Sequence, residues 1–275
     1  MNDIGSQLSE IVRAGDPDLY LADLFAPAES RRHLFALHAF AIEVASIRWK
    51  VSDPTLGEIR LRWWESALRG DHGGSPVAAA LAETIAAFDL PPTAFDRLLQ
   101  ARVFDLYDDP MPSLNDLEGY AGDTRSSLMQ LGAIILAGGK DPHTAELSGL
   151  AGVAAGLADV LRRLPRNVAA GQPFLPQDVL LRHGVAGSLA PPAGPELKQA
   201  LAELRELART RLGEARRAAA GLDQAMLPAF LPAATVELYL DRMKSPGFDP
   251  LAAVVDVSPL RRQWALWRAA RKGTF

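Results

Sequence analysis

The stretch SRRHLFALHAFAIEVASIRWKV, Ser30–Val51, decides the fold that this sequence predicts. No glycine or proline interrupts it, and Pro27 precedes it, where proline is tolerated at a helix start. Apolar residues recur at three- and four-residue steps, namely Leu34, Leu37, Ala41, Val44, Ile47 and Val51. A second apolar or small set comprises Phe40, Ile42, Ala45 and Trp49. The pattern predicts one long helix at the centre of a domain, since most of its sides are apolar.

The rest of the chain predicts more helices of the same kind. Three other long helices are expected over Leu114–Leu136, Ala145–Arg163 and Glu196–Ala220. In the second of these, Gly149, Gly152 and Gly156 leave a narrow surface on which a neighbour can pack closely. No segment alternates apolar and polar residues between hairpin signals, so no strand is predicted. We expect an all-α fold of about ten helices, with residues 1–275 forming a single domain.

The composition excludes several classes of protein. The chain has 275 residues, of which 48% are hydrophobic and 23% charged, which is typical of a globular domain. The net charge of -4 gives no electrostatic case for nucleic-acid binding. Without cysteine there is no disulfide and no thiolate metal site. We expect a cytoplasmic protein, because the first residues lack a signal-type apolar core and no run approaches the roughly 20 apolar residues of a membrane span.

Two segments carry a resemblance to a known family. They are ALHAFAIEVASIRW, Ala36–Trp49, and GLADVLRRLPRN, Gly156–Asn167, with FLP following at Phe174–Pro176. Their frame and spacing resemble the two signature helices of the squalene/phytoene synthase family, the head-to-head prenyl transferases. The resemblance implies the all-α isoprenoid synthase fold, a single-domain helical fold with a central cavity.

The acids of those signatures are missing. The resemblance implies magnesium-binding aspartates where this chain has Ala45, Ser46 and Trp49, and acids where it has Arg163 and Asn167. Ionisation of a diphosphate needs divalent cations that neutralise the leaving group, and magnesium prefers carboxylate oxygens. We therefore expect no metal, no cofactor and no catalytic residue, with Mg²⁺ expected only if the chain is an active transferase.

A second resemblance accounts for the missing acids. The segments EGYAGDTRSSL, starting at Glu118, and FLPQDVLLRHGV, starting at Phe174, are similar to the degenerate branch of the family that contains the mitochondrial complex I assembly factor. That resemblance implies a non-catalytic protein that acts in the assembly of respiratory complex I. Its partner would be a complex I subunit or an assembly intermediate. The alternative is a head-to-head prenyl transferase or a protein that binds a prenyl diphosphate or another lipid.

The resemblance assigns a set of pocket and degenerate motif positions. They are Phe40, Glu43, Ala45, Ser46, Trp49, Tyr120, Asp123, Ser126, Asp159, Arg162, Arg163, Arg166 and Asn167. We expect a largely apolar pocket that Ile42, Ala45 and Trp49 face and that narrows at Trp49, with Ala45 and Asp159 on one cavity. The three arginines either bind an anion directly or pair with acids such as Asp159 and Glu43.

Three further groups of residues leave alternatives open. Tyr120, Asp123, Arg125 and Ser126 either line the pocket or form a structural hydrogen-bond cluster. Asp105, Asp108 and Asp109 indicate a solvated turn or, less simply, a cation site. The last segment contains Trp264, Trp267 and several basic residues. It is either a closing core helix with a frayed basic end or a membrane-surface contact. The latter would place the protein peripherally at the inner membrane.

Overall fold

A computed structural model describes residues 3–275, and helices account for most of them. No strand occurs within these residues, so the all-α prediction is confirmed. The α-helices are α1 (Asp3–Gly15), α2 (Pro17–Asp23), α3 (Ala28–Ala45), α4 (Ile47–Lys50), α5 (Pro54–Leu68), α6 (Pro76–Phe88), α7 (Pro92–Val103), α8 (Leu114–Ala121), α9 (Ser127–Leu136), α10 (Ala145–Arg162), α11 (Leu164–Ala169), α12 (Gln177–Arg182), α13 (Pro195–Ala218), α14 (Leu227–Phe230), α15 (Val236–Arg242) and α16 (Pro259–Lys272).

Short polar side chains start many of these helices. The Asp53 carboxylate accepts a hydrogen bond of 2.8 Å from the Thr55 N–H at the start of α5. Asp16, Ser75 and Ser113 cap α2, α6 and α8 in the same way. Such caps satisfy backbone N–H groups that have no partner inside the helix. The starts of these four helices are therefore encoded locally.

Helix α3 lies at the centre of the N-terminal half, as its apolar pattern predicts. Every residue from His33 to Ala41 is buried. The Phe40 ring packs against Trp64 and Phe95, with ring centroids 5.0 and 5.7 Å apart. Phe40 is therefore a core residue, and its ring does not line the cavity described below.

The predicted single helix Ser30–Val51 is wrong at one position. Helix α3 ends at Ala45, and the short helix α4 begins at Ile47. The Ser46 hydroxyl donates a 2.7 Å hydrogen bond to the Glu43 carbonyl. Serine side chains compete in this way with the backbone hydrogen bonds of a helix. Arg48 and Trp49 consequently lie on a separate short segment.

The predicted helix Leu114–Leu136 is confirmed, with one irregular turn inside it. A π-helical turn, Gly122–Ser126, joins α8 to α9 and packs against α10. At this contact the Ser126 hydroxyl donates a 3.0 Å hydrogen bond to the Gly149 carbonyl. The predicted close packing on the α10 glycines is confirmed at Gly152 and Gly156, where an added Cβ would overlap Ser126 and Ala121.

Two groups of buried side chains fill the interior. One surrounds α3 and α5–α7, and the other surrounds α10, α13 and the C-terminal helices. Helix α9 contributes to both, with Leu131 in the first group and Ala133 in the second. Gly132, between them, lies close to Leu34 and Ala229. Helix α9 therefore joins the two halves.

The C-terminal helix ends in a closed turn, so the predicted frayed basic end is wrong. Gly273 has a left-handed backbone with φ 71°, and the Thr274 N–H donates 3.2 Å to the Ala269 carbonyl. This is the pattern of a glycine-terminated helix. Phe275 is buried and stacks on Phe230 at 6.2 Å. Across the described part of the chain, no helix combines the length and apolar content needed to span a bilayer.

Candidate functional site

A cavity of about 130 Å³ lies between α4, α8, the π-helical turn, α10 and α11. Ala45 and Trp49 contribute to its lining from the α3–α4 junction, and Asp159, Arg163 and Asn167 contribute from α10 and the start of α11. The prediction that Ala45 and Asp159 share one cavity is therefore confirmed. The two signature segments face each other, as their resemblance implies.

Asp159 is the centre of a group of arginines, of which Arg125 and Arg163 line this cavity and Arg162 does not. Its carboxylate pairs with Arg125 from the π-helical turn, lies 3.0 Å from the Arg162 guanidinium, and lies 3.9 Å from Arg163 Nε. Burial alone would raise the pKa of Asp159, but Arg125, Arg163 and Arg162 outweigh it and hold that pKa well below its usual range. The predicted pairing of an arginine with Asp159 is confirmed for Arg162, whereas Glu43 makes no ion pair with a described residue.

A second polar group lies at the opposite wall. The Tyr120 hydroxyl donates a 2.5 Å hydrogen bond to Asp105, and the Arg102 guanidinium donates to both, at 2.8 Å to Tyr120 and 2.9 Å to Asp105. Burial raises the pKa of the Tyr120 hydroxyl far above its ordinary value. The solvated-turn interpretation is wrong for Asp105, which is buried. Tyr120 was predicted either to line the pocket or to belong to a structural hydrogen-bond cluster, and it does both.

The cavity lining combines charged and apolar side chains in similar proportion, so the prediction of a largely apolar pocket holds only in part. Its side chains include two carboxylates, on Asp105 and Asp159, and five guanidinium groups. The five are Arg48, Arg102, Arg125, Arg163 and Arg166. The net charge of the lining is therefore positive, which favours an anion over a cation as ligand.

Two of these arginines lack a hydrogen-bonded protein acceptor within residues 3–275. Arg48 is held by the Asp105 carbonyl at 2.6 Å and by Asp108 at 2.8 Å. Arg163 makes only the 3.9 Å approach to Asp159, and the exposed Arg166 lies over the Trp49 ring, 3.9 Å from its centroid. Trp49 is 44% exposed and stands at the solvent side of the cavity with Arg166.

Several predicted pocket residues lie elsewhere. Glu43 faces a separate surface depression with Lys50 and Trp63, and burial raises its carboxyl pKa. Ser46 and Ser126 are bonded to backbone carbonyls, and neither lines the cavity. Asp123 does not line it either, and Ile42 packs against Gly15 of α1. A helix turn places only every third or fourth residue on one surface, which a linear motif does not specify.

Sequence reasoning missed a smaller cavity of about 50 Å³ on the other side of Asp159. Asp159 and Arg125 line both cavities, so their ion pair separates them. The smaller one contains the buried Asp18, which accepts a 2.6 Å hydrogen bond from the Tyr239 hydroxyl, and His38, which is bonded to Asp23 at 2.8 Å. Helix α2 contains two buried acids, Asp18 and Asp23, which were the available signal, but the Tyr239 partner of Asp18 lies 221 residues away.

Comparison with known proteins agrees with this geometry. The family model for squalene/phytoene synthase matches residues 12–268. This chain belongs to the squalene/phytoene synthase family. Both expectations that rested on resemblance, the family and its all-α isoprenoid synthase fold, are confirmed.

The similar members of the family include assembly factors as well as synthases. The chain is 31% identical to complex I assembly factor 6 of Rattus norvegicus and 30% identical to that of Homo sapiens, each over 87% of this chain and 74% of the relative. The solved squalene synthase HpnC of Alicyclobacillus acidocaldarius superposes with a TM-score of 0.72 at 21% identity, covering 99% of this chain and 95% of that one. The latter similarity shows the fold.

The donor set of this family member does not fit magnesium. Magnesium prefers oxygen ligands, usually one or two free carboxylates plus phosphates. In the cavity, the Asp159 and Asp105 carboxylates are both engaged by arginines. No group of three histidine or acidic residues in the described part of the chain is placed to hold a metal ion. A cation would have to displace guanidinium groups that already neutralise these acids.

Proposed function

We propose that this protein acts in the assembly of respiratory complex I and does not itself catalyse prenyl transfer. The observation that carries the proposal is the Asp159 cluster, in which arginines occupy the face that the family resemblance assigns to metal-binding acids. The similarity to assembly factor 6 over 87% of the chain supports the role in assembly. The proposed partner is a complex I subunit or an assembly intermediate, and residues 1–275 would act as one domain.

Disruption of the gene tests this proposal directly. We expect loss of assembled complex I and of its NADH:ubiquinone activity, with other respiratory complexes unchanged. Reintroduction of the intact gene should restore both, because the protein would act on assembly of this complex alone. The measurement is native gel electrophoresis of solubilised membranes with an in-gel activity stain. Normal complex I in the disrupted strain would contradict the proposal.

The cavity supports a second candidate function, which is binding of a prenyl diphosphate or another anionic lipid without metal. Arg163 and Arg166 border the cavity with no hydrogen-bonded protein acceptor among the described residues. Arginine binds phosphate oxygens through paired, charge-assisted hydrogen bonds. An anion at this position would be held by guanidinium groups in place of a cation.

A metal-free titration tests this second candidate. If the site binds anions, pyrophosphate should bind in chelator, and Arg163→Ala or Arg166→Ala should each weaken binding about tenfold, since a charged hydrogen bond contributes about 1.5–3 kcal/mol. The exposed Arg97→Ala serves as control and should have no effect. The measurement is isothermal calorimetry, repeated with farnesyl diphosphate. Absence of binding to the parent protein would exclude this candidate, and squalene formation with magnesium would contradict the non-catalytic proposal.

A further inference from the structure

The outward side of helix α16 carries a row of apolar side chains. Leu260, Trp264 and Trp267 are 77%, 60% and 41% exposed. They follow one another at steps of four and three residues, so they share one side of the helix with Arg271. The two indole rings stack with centroids 4.9 Å apart and planes at 24°. Two adjacent tryptophans thus stand in solvent on a well-formed helix.

The core does not need these tryptophans. The opposite side of α16 buries Ala265, Leu266 and Ala269, and α16 packs on α2 and on the 3-10 segment Leu231–Thr235. Arg262, at the same inner side, lies 3.5 Å from the buried Asp18 carboxylate. Contacts on its inner side already hold α16 in place. Its interpretation as a closing core helix therefore accounts for the inner side and not for the exposed outer side.

The charged side chains that α16 exposes are all basic. Arg261, Arg268, Arg271 and Lys272 are exposed, and within residues 3–275 none of them forms an ion pair. Helix α16 contains no acidic residue, although the chain as a whole has a net charge of -4. The Arg271 guanidinium lies over the Trp267 ring, 5.2 Å from its centroid. Positive charge is therefore concentrated beside the exposed indoles.

We propose that the α16 face, formed by Leu260, Trp264, Trp267, Arg268 and Arg271, binds the surface of an anionic lipid bilayer. Tryptophan favours the boundary between acyl chains and headgroups because its ring is apolar and its N–H is polar. Arginine side chains extend from such a site toward lipid phosphates. Charge decides against a second copy of this chain, because two such faces would bring like charges together. The proposal does not depend on the role in complex I assembly.

Flotation with vesicles tests the proposal on the full chain. We expect binding to vesicles of equal parts phosphatidylcholine and phosphatidylglycerol, weakened by salt, and far weaker binding to phosphatidylcholine alone. Arg268→Gln with Arg271→Gln should lower affinity about 25-fold, at about fivefold for each charge removed near an anionic surface. Trp264→Ser with Trp267→Ser should lower it at least about tenfold, through lost apolar burial.

Matched controls keep the result specific. Lys198→Gln with Arg217→Gln removes two exposed charges from α13, and Leu181→Ser removes a side chain that is 75% exposed on α12. Both should leave vesicle binding unchanged, and all variants should unfold at the parent's temperature because the replaced side chains are exposed. No binding to anionic vesicles, or equal losses in the controls, would overturn the proposal. A dimer abolished by the tryptophan changes, without vesicle binding, would assign the face to a second copy.

Discussion

Gly152→Ala is expected to destabilise the protein by about 3 kcal/mol, the upper part of the range for overpacking. At this position α10 meets the π-helical turn Gly122–Ser126, and a Cβ on residue 152 would overlap the backbone nitrogen and Cα of Ser126. A flexible side chain could move aside, but here a backbone must shift. That shift would also disturb the hydrogen bond from Ser126 to the Gly149 carbonyl. Urea unfolding followed by circular dichroism measures the change.

The same helix offers a matched control for this substitution. An added Cβ at Gly149 meets nothing within 4 Å. Gly149→Ala should therefore raise the free energy of unfolding by up to about 1 kcal/mol, because alanine is the better helix former. Stability changes of opposite sign for Gly152→Ala and Gly149→Ala, one turn apart, would locate the contact between α10 and the π-helical turn. Equal effects of the two would show that α10 and the π-helical turn do not approach as described.

Asp159→Asn is expected to lower the free energy of unfolding by about 3 kcal/mol at neutral pH, since removing one partner of a buried ion pair leaves the others uncompensated. Here Arg125, Arg162 and Arg163 would share a partly buried site without their counter-charge. The exposed Asp141→Asn, which removes a surface partner of His143, should change stability by less than about 0.5 kcal/mol. A loss of similar size in both variants would contradict the structural role of Asp159.

The effect of Asp159→Asn on the free energy of unfolding should depend on pH. The folded-state pKa of Asp159 is depressed by its arginines, so its contribution is fully present above the unfolded pKa, near 4. That contribution is lost as pH falls toward the depressed folded value. The stability difference between parent and Asp159→Asn should therefore be constant from about pH 5 upward and shrink below about pH 4. The check is the unfolding midpoint in urea at several pH values.

The central helices were predictable from local periodicity, and their facing arrangement from the resemblance of the two signature segments to the family. The buried run His33–Ala41 follows from residue spacing, whereas the shared cavity of Ala45 and Asp159 was expected from the family resemblance. The break at Ser46 and the π-helical turn Gly122–Ser126 were missed, since each depends on a single side-chain or tertiary contact. A hydrophobic pattern reports the average environment of a helix turn and not its individual hydrogen bonds.

The polarity of the cavity was not predictable in the same way. Arg102, Asp105 and Tyr120 lie up to 18 residues apart on different helical segments, and their hydrogen bonds form only when α7 and α8 pack together. Asp159 was identified, but its strongest partner, Arg125, lies 34 residues away on the π-helical turn. Buried charges acquire partners through the tertiary fold, which a single sequence does not display.

The ion pair between Arg125 and Asp159 would affect the length of any ligand that the cavity binds. The larger cavity and the smaller cavity meet at these two side chains, which line both of them. The partition is therefore made of rotatable side chains rather than main chain. If the cavity binds a ligand, a short one would leave this ion pair intact, whereas an elongated one would have to move the Arg125 guanidinium away from the Asp159 carboxylate. The ion pairs of Asp159 with Arg125, Arg162 and Arg163 would thus disfavour an elongated ligand.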